Sequence, residues 1–211
     1  MAKDNKSDIA YEYIKNGIIE KRFFPGNQII EEEVVEATGV SRTSVRKALN
    51  LLQYEGILES KPTRGIAVTK HTLKDIESAF KIREVLETHA FEMAVKNVNQ
   101  AMVDRMKEYN QGLVKVSENF NIVDFVKYNK AFHWEIAKAT EDKYYMKYLN
   151  EVHNNISVYL LFYNSSIDDR RSIKYHNVMI EALVSGDVKK GVEAIIADNH
   201  CGIEDSDLSS L

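Results

Sequence analysis

The chain has 211 residues, with 28 basic and 32 acidic side chains, 44% hydrophobic content, two prolines and one cysteine. The apolar fraction is ordinary for a globular protein and excludes wholesale disorder, and the length suits one large domain or two small ones. The single Cys201 excludes an internal disulfide and a cysteine-based zinc cluster. The apolar runs are far shorter than the ~18 residues that span a bilayer, and the N-terminus lacks a signal-peptide core. We therefore expect a cytoplasmic protein without membrane association.

The composition changes near residue 70. Both prolines and five of the nine glycines lie in the first 65 residues. Ser41–Lys70 holds six basic and two acidic residues, whereas residues 71–211 hold 17 basic and 22 acidic ones. This asymmetry predicts two domains, residues 1–70 and 71–211, of which the first contacts a polyanion such as DNA.

The first domain reads as three helices followed by a hairpin. Apolar residues at helical spacing predict a helix over 7–21 and a short one over 30–37. Gly39 then permits a tight turn, and Ser41 is a suitable N-cap for a third helix that ends at Gly56. Two β-like runs, 57–60 and 66–69, flank a basic turn. This order of elements predicts a winged helix-turn-helix.

The third helix carries the groups that suit the major groove of DNA. Arg42 and Arg46 lie four residues apart and share one face, and an arginine can pair with guanine or clamp a phosphate. Hydroxyls and free amides at the helix start suit phosphate oxygens, and a basic wing tip can reach a neighbouring groove. The predicted DNA-binding residues are Ser41, Arg42, Thr43, Ser44, Arg46, Arg64 and Gly65.

Residues 24–30, 38–49 and 51–58, completed by the wing with Arg64-Gly65 and Val68, resemble the DNA-binding domain of the GntR family of bacterial transcription regulators. The resemblance implies that the third helix and the wing contact operator DNA. Some relatives carry a basic DNA-contacting residue on the second helix, where this chain has Glu31, Glu32 and Glu33. Since these acids repel phosphate, we expect no DNA contact there.

The second domain is predicted to be an all-α antiparallel bundle of six helices. The proline-free stretch after Pro62 keeps helical periodicity, and short links favour antiparallel neighbours. The predicted helices cover residues 73–97, 100–118, 121–139, 142–163, 167–185 and 187–200. Cavities between the helices of a bundle are natural ligand sites.

Histidines and carboxylates on three of these helices form a candidate metal site. Asn129 and His133 are i and i+4 on one face, His176 lies on the fifth helix, and Asp198 and His200 lie on the last. Such groups could converge on one divalent cation, Zn²⁺, Ni²⁺ or Mn²⁺. Alternatively, each histidine is a hydrogen-bonded core residue. Because i and i+2 on a helix point ~200° apart, Asp198 and His200 cannot both face one site.

The stretches 129–133 and 176–183 resemble the FCD ligand-sensing domain of the FadR branch, in its shorter, metal-binding VanR-type form. The resemblance implies a metal site at Asn129, His133, His176 and a last position that corresponds to Asp198, which simple spacing favours over His200. The family commonly has aspartate at the first position and histidine at the last.

The resemblance also implies a small carboxylate effector above the metal, gripped by Arg83. The alternative for Arg83 is a surface ion pair with Glu87 at i+4. We expect a homodimeric transcription regulator that reads two operator half-sites and is controlled by this effector. Two rival functions stay open: a bundle that serves only as a dimerisation platform, and a metal-dependent enzyme.

Overall fold

The computed structural model describes residues 5–62, 65–163 and 169–204. The chain divides into two compact units, Met1–His71 and Thr72–Leu211. The first combines three helices with a two-stranded antiparallel sheet, and the second is built from helices alone in its described part. The predicted fold class, a winged helix-turn-helix followed by an all-α bundle, is confirmed.

The elements of the first unit are α1 (Asn5–Ile19), α2 (Glu31–Thr38), α3 (Arg42–Tyr54), β1 (Leu58–Lys61) and β2 (Gly65–Val68). Helix α2 ends at Gly39, whose φ of 67° lies in the left-handed region that glycine adopts without strain. Helix α3 begins after Ser41, whose side chain accepts a hydrogen bond from the Ser44 amide at 3.2 Å. The turn and the cap together fix the direction of α3 after α2.

The core of the first unit forms where α1 packs against α3. Ile14 from α1 and Leu49 and Leu52 from α3 are fully buried. The strands pair in register from Leu58 opposite Val68, and both of these residues are buried. The apolar face of α3 is thus used for packing, which leaves its opposite face to solvent.

The elements of the second unit are α4 (Leu73–Asn97), α5 (Gln100–Glu118), α6 (Ile122–Ala139), α7 (Lys143–Tyr163), α8 (Asp169–Ser185) and α9 (Val188–Glu204). Polar caps define several starts: Thr72 and Asp75 form a reciprocal capping box on α4, and Asn99 and Asn121 cap α5 and α6. Helix α9 runs four residues beyond the predicted end because Cys201 is buried and Ile203 packs against a core cluster.

Helix α4 is the central element of the bundle. It packs against α6, α7 and α9, while α5 packs against α6 and α8, and α8 lies along α9. Buried aromatic residues, among them Phe91 and Phe132, fill the space between these helices. On the face of α4 that meets these helices, polar residues are interior as well, and Arg83 and Glu87 are both buried. In the described part of the chain, no helix is both long and apolar enough to cross a membrane.

We predict that Gly191→Ala destabilises the bundle. Alanine favours a helix over glycine by about 1 kcal/mol, but an added Cβ at this position would lie 2.0 Å from Cε1 of the buried Phe91. Overpacking of this kind costs about 1–3 kcal/mol, so we expect a net loss in the free energy of unfolding, measured by urea denaturation. The exposed Lys189→Ala on the same helix serves as the control. A Gly191→Ala protein as stable as the parent would contradict this packing.

Candidate nucleic-acid interface and candidate metal centre

The exposed face of α3 carries the predicted arginines. The side chains of Arg42 and Arg46 are 63% and 64% exposed, and Thr43 is exposed beside them. Ser44 is buried, and its hydroxyl lies 3.0 Å from the Ser41 hydroxyl within the N-cap. The structure thus places Ser44 in the cap and the other side chains of the start of α3 at the surface.

Both arginines contact the acidic start of α2. Arg42 Nη2 lies 2.9 Å from Glu32 Oε1, and Arg46 Nε lies 2.9 Å from Glu31 Oε2. Exposed ion pairs of this kind contribute only about 0–1 kcal/mol, so phosphate oxygens can replace the carboxylates. The charge asymmetry in the sequence did not reveal this pairing, which partly neutralises the exposed face of α3.

At the wing, Gly65 is exposed and has a φ of 69°, which an L side chain rarely adopts. It pairs with Lys61 at the end of the hairpin. The predicted contact Arg64 lies outside the described residues.

In the bundle, three of the predicted metal ligands meet in the core. The Nε2 atoms of His133 on α6 and His176 on α8 are 3.1 Å apart. Asp198 on α9 places Oδ2 3.2 Å from His133 Nε2 and Oδ1 3.9 Å from His176 Nε2. All three residues are at most 3% exposed. We call His133, His176 and Asp198 the donor triad.

Arg83 on α4 enters the same space. Its Nη2 lies 2.8 Å from His133 Nε2 and 3.2 Å from Asp198 Oδ2, and its Nε lies 3.1 Å from Glu87 Oε2. The predicted Arg83–Glu87 pair therefore exists, but it is buried in the core and not a surface pair.

Neighbouring groups fix which nitrogen of each ring carries hydrogen. Asn110 donates through Nδ2 to the Ile173 carbonyl and to Asn177 Oδ1, so its Oδ1 accepts from His176 Nδ1 at 3.2 Å. His176 Nε2 is then a bare acceptor. His133 Nε2 must also accept, because arginine can only donate. Two acceptor nitrogens that face each other at 3.1 Å form an arrangement that a shared cation would stabilise.

Glu87 links the remaining polar groups of the core. Its Oε1 lies 3.2 Å from His133 Nδ1 and accepts a hydrogen bond from His153 Nε2 at 2.8 Å. A carboxylate behind the far nitrogen of a metal-binding imidazole is the usual second layer of a metal site. From the sequence, Glu87 was considered only as a surface partner of Arg83, and His153 was not among the candidate ligands. No sequence spacing connects Glu87 with His153.

Burial and neighbouring charge set the protonation of the cluster. Burial lowers the pKa of His176 to about 3 and that of His153 to about 4, so both rings are neutral. Burial opposes ionisation of Glu87 and Asp198, but the Arg83 guanidinium and the contacts with neighbouring histidines outweigh it and keep both pKa values below their usual range. The two carboxylates and one guanidinium leave a single negative charge uncompensated.

His133 is the exception among the buried rings. Burial, and to a lesser extent Arg83, lower its pKa, but the carboxylates of Glu87 and Asp198 together outweigh them, and the net shift is upward. A hydrogen on Nε2 would nevertheless point at the Arg83 Nη2 hydrogens 2.8 Å away. The geometry is therefore that of a neutral ring with its hydrogen on Nδ1, beside Glu87.

The donor triad fits a divalent transition metal. Two ligand atoms bound to Zn²⁺ at ~2.0–2.1 Å in tetrahedral geometry lie ~3.3 Å apart. Two of the three separations in the donor triad, 3.1 and 3.2 Å, are close to this value, and the third, between Asp198 Oδ1 and His176 Nε2, is longer at 3.9 Å. Asn129 stands one turn before His133 on α6, and its Oδ1 is a buried atom without a hydrogen-bond partner. His200 points away: its side chain is 61% exposed, and Nε2 lies 3.3 Å from Glu84.

The fold and the two sites define a class of protein, in which a DNA-binding head is joined to a helical domain with a polar ligand centre. Residues 6–68 match the family of bacterial regulatory proteins called the gntR family, and residues 78–198 match the FCD domain. The chain belongs to the GntR family of transcription regulators and carries an FCD domain. The matched families and the names of the relatives are those of transcription regulators and not of enzymes.

Relatives and solved structures agree with this assignment. The HTH-type transcriptional regulator YdhC of Bacillus subtilis is 26% identical over 147 residues. The matched stretch covers 69% of this chain and 66% of YdhC, which is just under two thirds of that relative. The HTH-type transcriptional repressor RspR of Escherichia coli is 24% identical over 62% of this chain and 58% of RspR. McbR/YncC of E. coli has the same fold, with a TM-score of 0.81 at 19% identity over 97% of both chains.

We predict that the metal-free protein loses stability as the pH falls from 6.5 towards 4.5. The pKa values of His153 and His176 are about 4 and about 3 in the fold, below the ordinary value near 6.5, so the unfolded chain binds more protons in this window. The free energy of unfolding should fall by roughly 1 kcal/mol per pH unit for each ring. Urea melts at several pH values, with chelator present, measure this slope.

In the variant His153→Gln, the free energy of unfolding should depend less steeply on pH, because the contribution of one proton is lost. The contribution of His176 should remain. An unfolding free energy that does not change between pH 6.5 and 4.5 would show that the two rings are not buried in neutral form.

Proposed function

We propose that this regulator binds operator DNA through α3 and the wing, and that a small carboxylate effector, bound with a divalent metal in the bundle, controls its affinity for DNA. The protein acts as a homodimer in the cytoplasm, with each copy reading one half-site. Repression is the expected sense of control, in line with the repressor RspR among its relatives.

The buried charged cluster carries the effector half of this proposal. Glu87, Asp198 and Arg83 are nearly inaccessible to solvent in the centre of the bundle. Buried ion pairs generally add little stability over apolar packing of the same volume. A platform that only dimerises would need no such core, whereas a ligand site does, because specificity comes from a few convergent polar groups.

The metal would be held by the donor triad and by Asn129 Oδ1. When bound, it supplies positive charge to which a carboxylate can attach. Glu87 and Asn110 orient the two imidazole rings toward it. The charges then select the effector: with two carboxylates and the guanidinium of Arg83, a divalent ion leaves the cluster at +1, which one monocarboxylate neutralises.

The DNA half rests on the exposed Arg42 and Arg46 at the start of α3 and on Ser41 and Thr43 beside them. Ser44 supports the N-cap, while Gly65 and Arg64 act from the wing. In the absence of DNA, the two arginines are paired with Glu32 and Glu31 of α2. On binding, DNA phosphates or base edges replace these carboxylates. An effector that favours one spacing of the two heads would lower operator affinity, since the spacing of DNA grooves is fixed.

We predict that His133→Ala, His176→Ala and Asp198→Ala each abolish stoichiometric Zn²⁺ binding, because each removes one inner ligand. Elemental analysis of the dialysed protein and calorimetric titration measure the loss. His200→Ala, on the same helix as Asp198, should bind Zn²⁺ like the parent. Loss of binding in His200→Ala with binding kept in Asp198→Ala would show that the last helix presents the other residue.

We predict that Arg42→Ala and Arg46→Ala each weaken binding to the protein's own promoter by about 1–3 kcal/mol if they contact bases. If an arginine contacts only a phosphate, its loss should instead reduce the slope of log binding constant against log salt concentration by about one. Fluorescence anisotropy at several salt concentrations measures both quantities. Arg105→Ala, a change in the helical unit, is the matched control.

The variant Glu32→Gln should raise affinity for an unrelated duplex, because it removes both a competitor for Arg42 and a charge that repels phosphate. Promoter binding unchanged in Arg42→Ala and Arg46→Ala would refute the assignment of α3 as the DNA-reading helix.

A further inference from the structure

Arg83 lies where the candidate metal centre has its donors. Its Nη2 is 2.8 Å from His133 Nε2 and 3.2 Å from Asp198 Oδ2, and both of these atoms belong to the donor triad. The side chain is only 4% exposed, and the two distances leave no room for a water molecule between the guanidinium and these atoms. An internal cation thus already satisfies two of the three groups.

The chemistry of imidazole makes this contact exclusive. A ring nitrogen without hydrogen has one lone pair, which can accept one N–H or bind one metal ion. Since arginine has donors only, the contact at 2.8 Å uses the lone pair of His133 Nε2. A metal ion bound to His133 needs the same lone pair. The Arg83–His133 hydrogen bond and metal coordination by His133 Nε2 therefore cannot exist together.

We propose that Arg83 and the divalent cation are alternative occupants of the donor triad, and that metal binding releases Arg83 Nη2 for the carboxylate of the effector. The inference rests on the metal and effector functions proposed above. Without metal, Arg83 compensates the charge of Asp198. With metal, charge repulsion drives Arg83 Nη2 away from the triad. Arg83 Nε keeps its hydrogen bond to Glu87 Oε2, which is 3.1 Å long in this structure.

The exchange imposes an order on ligand binding. In the metal-free protein, Arg83 is hydrogen-bonded to Glu87, His133 and Asp198. A carboxylate effector then has neither a metal ion nor an available guanidinium to bind. Once the ion is bound, both cations become available to the carboxylate. Carboxylate affinity should therefore depend on metal more strongly than the coordination bond alone requires.

The first test measures Zn²⁺ affinity by competition with a chromophoric chelator. Arg83→Met removes the competitor and a positive charge, and we expect at least tenfold tighter Zn²⁺ binding than in the parent. Arg83→Lys keeps the charge but loses the fork and should lie between the two. Arg105→Met, which removes an arginine paired with the buried Glu135 elsewhere, should leave the affinity unchanged. Circular dichroism shows which variants are folded.

Zn²⁺ affinity that is equal or weaker in folded Arg83→Met would overturn the exchange. A second measurement uses the parent protein and does not depend on the folding of a variant. In ¹⁵N NMR spectra, Zn²⁺ should shift the His133 Nε2 resonance and remove the hydrogen-bonded Arg83 Nη signal. An Arg83 signal that persists in the Zn²⁺-bound protein would also overturn the exchange, yet would leave the metal site itself intact.

The third test uses acetate as the carboxylate probe and the thermal melting temperature as the readout. Acetate should stabilise the Zn²⁺-loaded parent and have little effect on the metal-free parent, and Arg83→Lys should reduce the effect. Equal stabilisation with and without Zn²⁺ would refute the predicted order of binding. A parent protein that takes up no Zn²⁺ would refute the proposed metal function together with the exchange.

Discussion

The uncompensated charge in the middle of the bundle is the constraint on which the helical unit depends. Two carboxylates and one guanidinium are buried among aromatic and aliphatic side chains, and removal of one partner from such a group typically costs about 3–5 kcal/mol. These charged groups come from α4 and α9, and the histidines that contact them come from α6, α7 and α8. The contacts between them persist only if these helices keep their mutual positions. Phe132 adds to this by stacking on the His176 ring at 3.7 Å. Any change of occupant in the cluster must therefore be accommodated by the packing of several helices at once.

A comparable balance of charge operates at the surface of the first unit. Helix α3 exposes Arg42 and Arg46, while α2 places Glu32 and Glu31 against them. Weak exposed pairs of this kind lower the electrostatic gain from any duplex, because phosphates must first replace the carboxylates. Contacts to base edges add energy only on the correct sequence. In the proposed interface, the acids would therefore reduce sequence-independent binding more, in proportion, than operator binding.

Local patterns were sufficient to predict most of the fold. Helical periodicity and the absence of proline defined the six helices of the bundle. The predicted starts at residues 100 and 121 lie within one residue of the observed starts of α5 and α6, which Asn99 and Asn121 cap. The cluster was harder to predict, because it depends on which helices pack together. An Arg and a Glu at i and i+4 look the same in the sequence whether their face is exposed or buried, so Glu87 could not be identified as the central acceptor. His153 has no characteristic spacing to the other histidines and reaches Glu87 only through the packing of α7 on α4.

The buried position of the centre also bears on how a small ligand can control a large surface. The donor triad draws on three helices and Arg83 on a fourth, so an ion that binds there does not rest on one element but replaces contacts between elements. Because the interior is close-packed, a guanidinium that leaves its place must find new partners or shift its helix. A carboxylate that receives the released arginine would stabilise the second arrangement, and its free energy of binding would then bias the whole bundle toward that state. In the proposed mechanism, the polar core makes the bundle less stable than an apolar core would, but it permits two arrangements that differ in charge and in contacts. Two such states, with different affinities for the ligand, are what a ligand-controlled regulator requires.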